Sequence, residues 1–264
     1  MKDRIDVVLT EKGFFSSREK AKAAIMAGTV YLAGNRVDKP GTPVSYESEF
    51  SLKEDACPYV SRGGLKLEKA VNEFEIDLNE AICLDIGAST GGFTDFMLKS
   101  GASTVYAVDV GYGQLDWKLR NDSRVVNMEK VNIRHLDKPE LKNKFDFISI
   151  DVSFISLKLV FPVAAELLNE TGKLVCLVKP QFEAGREEVG KNGIVKDKKT
   201  HKKVVVNVIE YGNLNKLYSH KLTYSPVTGA KGNIEYFILF DKNHNEICDR
   251  EIDLVVDNSH LDLS

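Results

Sequence analysis

Cysteine is scarce in this chain of 264 residues, and Cys57, Cys83, Cys176 and Cys248 stand far apart with no C-x-x-C pair. That spacing argues against a zinc cluster and a disulfide framework, and fits a reducing cytoplasm. No His/Cys/carboxylate cluster is evident either, so no metal is expected. No apolar run approaches the ~20 residues that a membrane-spanning helix needs. The opening MKDRIDVVLTEKG carries Asp3, Asp6 and Glu11 within its short apolar portion, which is unlike a secretory signal. Repeats and low-complexity segments are missing. A charge excess is missing as well: 36 basic residues face 39 acidic ones for a net charge of -3, so any charged surface must arise by segregation. What is present is an ordinary globular composition, 43% hydrophobic and 28% charged, long enough for one large or two modest domains.

The chain is organised around ICLDIGASTGGFTD, residues 82–95. An apolar run of Ile82, Cys83 and Leu84 ends in Asp85 and opens into Gly87, Ala88, Ser89, Thr90, Gly91 and Gly92. Phe93, Phe96, Met97 and Leu98 continue at mainly helical spacing until Gly101. The pattern predicts a buried strand, a glycine-rich turn and an amphipathic helix, the opening unit of a doubly wound α/β domain. Glycines let a backbone approach a ligand where a Cβ would collide, and the helix N-terminus offers free N–H donors. The spacing G-x-x-x-G-G is neither the dinucleotide fingerprint nor a P-loop, since no Lys-Ser/Thr follows.

A second apolar run, 105–108, ends in Asp109, where a carboxylate can accept hydrogen bonds from both ribose hydroxyls of an adenosine-bearing ligand. The loop resembles the first motif of S-adenosylmethionine-dependent methyltransferases. On that resemblance the cofactor is S-adenosylmethionine, and its candidate contacts are Asp85, Gly87, Ala88, Ser89, Thr90, Gly91, Gly92, Phe93 and Asp109. Glu129, which closes a third candidate strand over 125–128, joins the set.

Residues 1–55 read as a separate small α+β module. Ser16 and Glu19 fit a capping box, and Ala21, Ala24 and Ile25 follow at helical spacing until Gly28. A strand is expected over 29–32 and a turn at Gly34 and Asn35. From Lys12 to Lys39 there are six basic residues against two acidic, a local balance of +4. The pattern of Arg4, Ile5, Asp6, Leu9, Gly13, Ser17, Arg18, Ala21, Ile25, Gly28, Val30, Gly34, Val37, Lys39 and Pro40 resembles the S4-type RNA-binding domain. The resemblance implies that structured RNA is gripped here, with Arg4, Arg18, Lys20, Lys22, Arg36 and Lys39 as the candidate contacts.

Residues 56–60 read as a linker and 61–264 as the second domain. Leu67, Ala70, Val71 and Phe74 form a helical stripe with Lys66 beside it. Further strands are expected over 145–150, 174–178, 222–226 and 234–240, and helices over 161–168 and 204–209. A parallel sheet ending in an antiparallel hairpin follows.

In such folds chemistry gathers at the carboxyl ends of the strands. Asp151 and Lys179 end two strands there, and Glu235 lies near the start of the last one. With Lys66 they stand in the order Lys–Asp–Lys–Glu, which resembles the tetrad of the FtsJ-like ribose 2′-O-methyltransferases. Together with YVSRGGLKL, DVGYGQLDWKLR, DVSFISL and KPQFE, the whole chain is similar to the TlyA family. That resemblance implies a Rossmann-like methyltransferase fold behind an S4-type domain, and methyl transfer to structured RNA, with ribosomal RNA as the expected target. Lys179 is the expected base, Asp151 and Glu235 orient the lysines, and Lys66 aids the alkoxide or positions the ribose. One departure is Cys57-Pro58-Tyr59-Val60, where some relatives carry Arg-x-Trp-Val. Two other classes of function fit the residues less well. An RNA-binding assembly factor with an inactive domain leaves the tetrad unexplained, and a haemolysin-like membrane-active protein lacks a segment apolar enough.

Overall fold

The structure is a computed structural model that describes residues 2–37, 39–52, 57–136 and 139–263, without the side chains of Ala27, Arg36, Glu140 and Ala230. The expected linker's first residue, 56, and the end of the expected first domain, 53–55, lie outside the described residues. The chain divides into two compact units, Met1–Arg62 and Gly63–Ser264.

In the first unit, β1 (Lys2–Arg4) leads into α1 (Ile5–Glu11), and α2 (Arg18–Ala27) follows a turn. Then come β2 (Val30–Leu32), β3 (Asn35–Arg36), β4 (Pro43–Ser45) and β5 (Phe50–Leu52). β1 pairs antiparallel with β4, while β3, β2 and β5 form a small sheet in that order. Ile5, Val8, Leu9, Ala21, Ile25, Val30 and Val44 close the core between helices and strands. The helix start differs by one residue from the expected capping box. Ser17, not Ser16, is the cap, its hydroxyl accepting from Lys20 N at 3.3 Å. Gly28 ends the helix at φ +79°, the left-handed conformation that a side chain would strain.

The second unit begins with α3 (Gly63–Phe74), β6 (Ile82–Ile86), α4 (Gly92–Lys99), β7 (Thr104–Asp109), α5 (Trp117–Arg120) and β8 (Val125–Glu129). It continues through β9 (Phe145–Ile150), α6 (Phe161–Leu167), β10 (Leu168–Val178) and α7 (Pro180–Glu183). It ends with α8 (Lys198–Asn213), β11 (Tyr218–Tyr224), β12 (Tyr236–Asp241) and α9 (Asp249–Leu263). Seven strands form one mixed sheet in the order β11-β12-β10-β9-β6-β7-β8. β10 through β8 run parallel, and β12 is antiparallel to both neighbours. The Rossmann-like reading therefore holds, with the hairpin at one edge.

Several boundaries moved for identifiable reasons. The expected helix over 161–168 stops at Leu167, because Leu168 already pairs with Phe145 as the start of the long β10. The helix expected over 204–209 begins six residues earlier, at Lys198, where the Asp197 side chain caps it by accepting from Thr200 N at 3.0 Å. A polar first turn hides such a start from hydrophobic periodicity. Phe145, Phe147, Phe161, Phe237 and Phe240 are buried in the core. Truncating any one to alanine costs about 3–5 kcal/mol.

The sheet order places a reversal of winding between β6 and β9, and a ligand crevice is expected outside the carboxyl ends of strands at such a point. Gly87 marks it. Its φ is +89°, and a Cβ there would collide with the Asp151 carbonyl oxygen across the crevice.

Candidate active site

The turn after β6 is tied to the neighbouring strand by its own backbone. Gly87 N and Ala88 N donate to Val108 O at 2.9 and 3.1 Å, and Gly91 N donates to Ala88 O at 2.8 Å. This carries Ser89 to the end of β7, where Ser89 N donates to Asp109 Oδ2 at 2.8 Å while Gly111 N donates to Oδ1 at 2.7 Å. Asp109 is thus held rigidly by two amides, and a carboxylate retains further lone pairs for two ligand hydroxyls. Glu129 stands opposite Asp109 in the β7–β8 register. It accepts from Arg120 and from Gln114 N, and although burial pushes its carboxyl up, the bonds from Arg120 hold it below the ordinary value.

Gly87, Ser89 and Asp109 line a cleft of about 360 Å³ at these strand ends. Ile86, Val108, Val131 and Ile133 give it apolar walls, and Gln114, Asn132, Asp151 and Ser153 supply polar groups. A more open hollow of about 730 Å³, beside Lys142, Glu166, Lys216 and Tyr218, opens at the opposite end of the strands and holds none of the candidate residues. The walls at 131–133 and 152–155 are absent from the candidate site residues, although 152–155 fall within the motif DVSFISL, whose place in the cleft only the fold reveals. Among the other candidates, Ala88, Thr90, Gly91, Gly92 and Phe93 build the turn and the start of α4 without lining the cleft. At Gly91, φ +94°, the missing side chain makes room for Leu119 and Leu115 rather than for a ligand.

Asp85 lies beneath the turn rather than in the cleft. It is fully buried, accepting from Thr94 Oγ1 at 2.7 Å and from Ser149 Oγ at 3.2 Å. Burial pushes its carboxyl up to about 7, and the nearby Asp151 charge adds to this while the two hydroxyls oppose it. A raised carboxyl means that the folded state holds a proton the unfolded chain releases above the usual carboxylate range. Its contribution to stability is therefore complete at low pH and is lost as pH rises toward 7. Asp85→Asn should remove that slope, up to about 1.4 kcal/mol per pH unit. Denaturant unfolding from pH 5 to 7 checks this, and an unchanged slope in the variant would contradict it.

The four tetrad positions come together as two ion pairs. Asp151 follows β9, Lys179 follows β10, and Glu235 immediately precedes β12. Lys179 Nζ lies 2.5 Å from Asp151 Oδ1 and donates to Ser153 Oγ at 3.0 Å. Lys66 reaches from α3 to Glu235 Oε2 at 2.6 Å. β10 and β12 pair through Val178 and Tyr236, so Lys179 and Glu235 stand one position further along facing strands. Glu235 is 2% exposed. Removing Lys66 would strand a buried carboxylate, a change worth about 3–5 kcal/mol, so that variant confounds catalysis with stability. β12 is anchored beside this point: Tyr236 OH meets His201 Nδ1 at 2.8 Å and Ser259 Oγ at 2.9 Å. No group of three or more His, Cys, Asp or Glu among the described residues is arranged to hold a metal.

In the first unit, Arg4 Nε and Arg18 Nη2 converge on Asp6 at 2.9 and 3.1 Å. Asp6 is fully buried while both arginines are about half exposed. Burial pushes the Asp6 carboxyl up, but hydrogen bonds and charge from both arginines outweigh it and hold it below the ordinary value. Lys20 and Lys39 are exposed and Lys22 is half-buried. The Arg36 side chain lies outside what the structure describes.

Comparison with known proteins agrees with this architecture. The S4 domain family matches residues 3–49, and the FtsJ-like methyltransferase family matches residues 59–242. A Bacillus subtilis protein named "Putative rRNA methyltransferase YqxC" is 48% identical, over 99% of this chain and 95% of its own. A Mycobacterium tuberculosis protein named "16S/23S rRNA (cytidine-2'-O)-methyltransferase TlyA" is 41% identical, over 89% of this chain and 88% of its own. A solved structure described as "Putative hemolysin from Streptococcus thermophilus" superposes with a TM-score of 0.78 at 46% identity, covering 99% of this chain and 96% of that one. No helix among the described residues is long and apolar enough to cross a membrane. The chain belongs to the FtsJ-like methyltransferases, in the group that carries an S4 domain ahead of the methyltransferase domain and includes the TlyA proteins.

Proposed function

We propose that this protein transfers a methyl group from S-adenosylmethionine to a ribose 2′-hydroxyl of ribosomal RNA. The observation that carries the reading is the meeting of Lys66, Asp151, Lys179 and Glu235 in two ion pairs at the strand ends, with Asp151 also lining the cleft. The name of the Mycobacterium tuberculosis relative points to the same reaction, and that of the Bacillus subtilis relative to methylation of ribosomal RNA.

The cleft suits the cofactor: apolar walls for an adenine, a fixed carboxylate at Asp109 for the ribose, and a glycine at 87 where a Cβ would close the crevice. When bound, S-adenosylmethionine supplies an electrophilic methyl on sulfur. The protein's own task is to orient the incoming hydroxyl in line and to manage its proton. Lys179 Nζ is the group assigned to that proton and to the developing alkoxide charge. Asp151 and Ser153 fix where Nζ points, and Glu235 fixes Lys66 so that a second cation supports the ribose oxygen. Incubating the protein with methyl-labelled cofactor and ribosomal subunits tests this reading. Label should enter ribosomal RNA, and label found nowhere in RNA would overturn it.

The first unit is assigned the RNA grip, and the geometry there refines which residues test it. Arg4 and Arg18 serve the buried Asp6 as well as any phosphate, so replacing them would disturb the fold. Lys20 and Lys22 on α2 carry no such duty. Replacing both with alanine should flatten the log-affinity versus log-salt slope for RNA by about 0.7–0.9 per lost phosphate contact. Cofactor affinity, measured in the same proteins, should not move. Identical salt slopes before and after would remove α2 from the RNA interface.

A further inference from the structure

The segments that follow β9 and β10 carry the two members of one ion pair, Asp151 and Lys179, and they are joined at a second place. α7 begins directly after Lys179 and ends at Glu183. Glu183 reaches across to residues 156–157, accepting from Ser156 Oγ at 2.6 Å and from Leu157 N at 2.8 Å. Between the two joints, Phe182 packs against Phe154 with ring centroids 5.0 Å apart. The segment from 151 to 157 is therefore held at one end by Lys179, just before this four-residue turn, and at the other by Glu183, its last residue.

The clasped segment is a wall of the cleft, since Asp151, Val152, Ser153, Phe154 and Ile155 all line it. Its backbone is also held in a costly shape. Phe154 has φ +63°, a conformation unfavourable for an aromatic residue, and the residue is 90% exposed. A strained, exposed loop keeps one shape only if its ends are fixed. Asp151 N, donating to Ile86 O at 2.9 Å, fixes one end, and Glu183 fixes the other. Glu183 is half-buried, and a carboxylate drawn partly out of water needs its bonds to be satisfied, which makes it a demanding choice for a purely structural tie. Its carboxyl is pushed up by that burial, and the Ser156 and Leu157 bonds offset part of the shift.

We infer that Glu183 is a positioning residue: it fixes the 151–157 segment so that the cleft wall and the Asp151–Lys179 pair keep a single geometry. It touches neither the cofactor nor the ribose, and it acts through Ser156 and Leu157. The inference rests on the proposed function for its catalytic consequence, but its effect on the cleft wall does not depend on the methyl acceptor.

The test compares Glu183→Ala, Glu183→Gln and Ser156→Ala with the parent, in the full-length protein. Glutamine can still accept from Leu157 N and can donate to Ser156 Oγ, so it should keep cofactor affinity and kcat within about threefold of the parent. Alanine should weaken S-adenosylmethionine binding in calorimetry several-fold and lower kcat on ribosomal RNA about 10²-fold, the scale of an ångström-sized misplacement, with KM for RNA little changed. Ser156→Ala, which keeps the Leu157 bond, should fall between them, and it keeps the comparison decisive if Glu183→Ala does not fold. Parent-like kcat and cofactor affinity in either alanine variant, or a glutamine variant as impaired as alanine, would overturn the inference. A parent that binds cofactor but methylates no RNA would instead sink the proposed function, while the affinity series would still report on Glu183.

Discussion

Lys179→Ala is expected to lower methyl transfer to RNA by about 10²–10⁴-fold while S-adenosylmethionine binds nearly as before. The lysine lies at the end of β10, held by Asp151 at 2.5 Å and Ser153 at 3.0 Å. It is not among the cleft-lining residues, so its loss should fall on the nucleophile's side of the reaction. Lys179→Arg decides which task the side chain performs. Arginine keeps the positive charge but does not give up its proton near neutral pH, so a lysine acting as base cannot be replaced by it. The arginine variant should therefore fail as well. Robust turnover in that variant would leave Lys179 as electrostatic support for the alkoxide only. Single-turnover rates with saturating cofactor separate chemistry from binding in both variants.

The second large effect concerns Asp109. Its two oxygens accept from Ser89 N and Gly111 N, which leaves capacity for both hydroxyls of one ribose. Asp109→Ala should weaken S-adenosylmethionine binding by roughly 3 kcal/mol or more, about two orders of magnitude in Kd, since hydrogen bonds to a charged group contribute about 1.5–3 kcal/mol each. Asp109→Asn keeps the shape and one acceptor oxygen and should lose less. Calorimetric titration of both variants, with thermal unfolding to confirm that they fold, is the check. Parent-like affinity in the alanine variant would move the ribose away from the end of β7.

Some of this was legible in the sequence because local rules and the global fold agree there. The run 82–84, the glycines and the helical spacing of Phe93, Phe96 and Met97 all point to a strand, turn and helix, and β6 and α4 occupy those places. Strand ends at Asp109, Asp151 and Lys179 were readable for the same reason, as charge closing an apolar run.

What was not legible depends on neighbours distant in sequence. Asp85 and Asp109 look alike as residues that close strands, yet Asp85 sits in the central β6, opposite Ser149 and Ala107 on its two neighbours, and is fully buried. Period-two alternation says nothing about which acidic side chain faces the core when both faces are covered. Gly91 reads as a ligand cradle, but the space it leaves belongs to Leu119, which lies 28 positions further along the chain. The α9 helix went unread: only Ile252, Val256 and Ser259 of it are buried, too sparse a stripe among its acidic residues. The Glu183 clasp spans 27 positions and uses a residue type common on any surface. KPQFE was visible as a motif, but its reason lies in a loop that only the folded sheet brings near.

The measurement that bears most directly on the central claim is nucleoside analysis of ribosomal RNA after reaction with this protein and S-adenosylmethionine. The RNA is digested to nucleosides and the methylated product is identified by mass spectrometry against standards. The account predicts a 2′-O-methylribonucleoside that is present with the parent protein and absent with Lys179→Ala. Methyl groups found on a base instead of the ribose, or a 2′-O-methyl product formed equally by the Lys179→Ala variant, would contradict it.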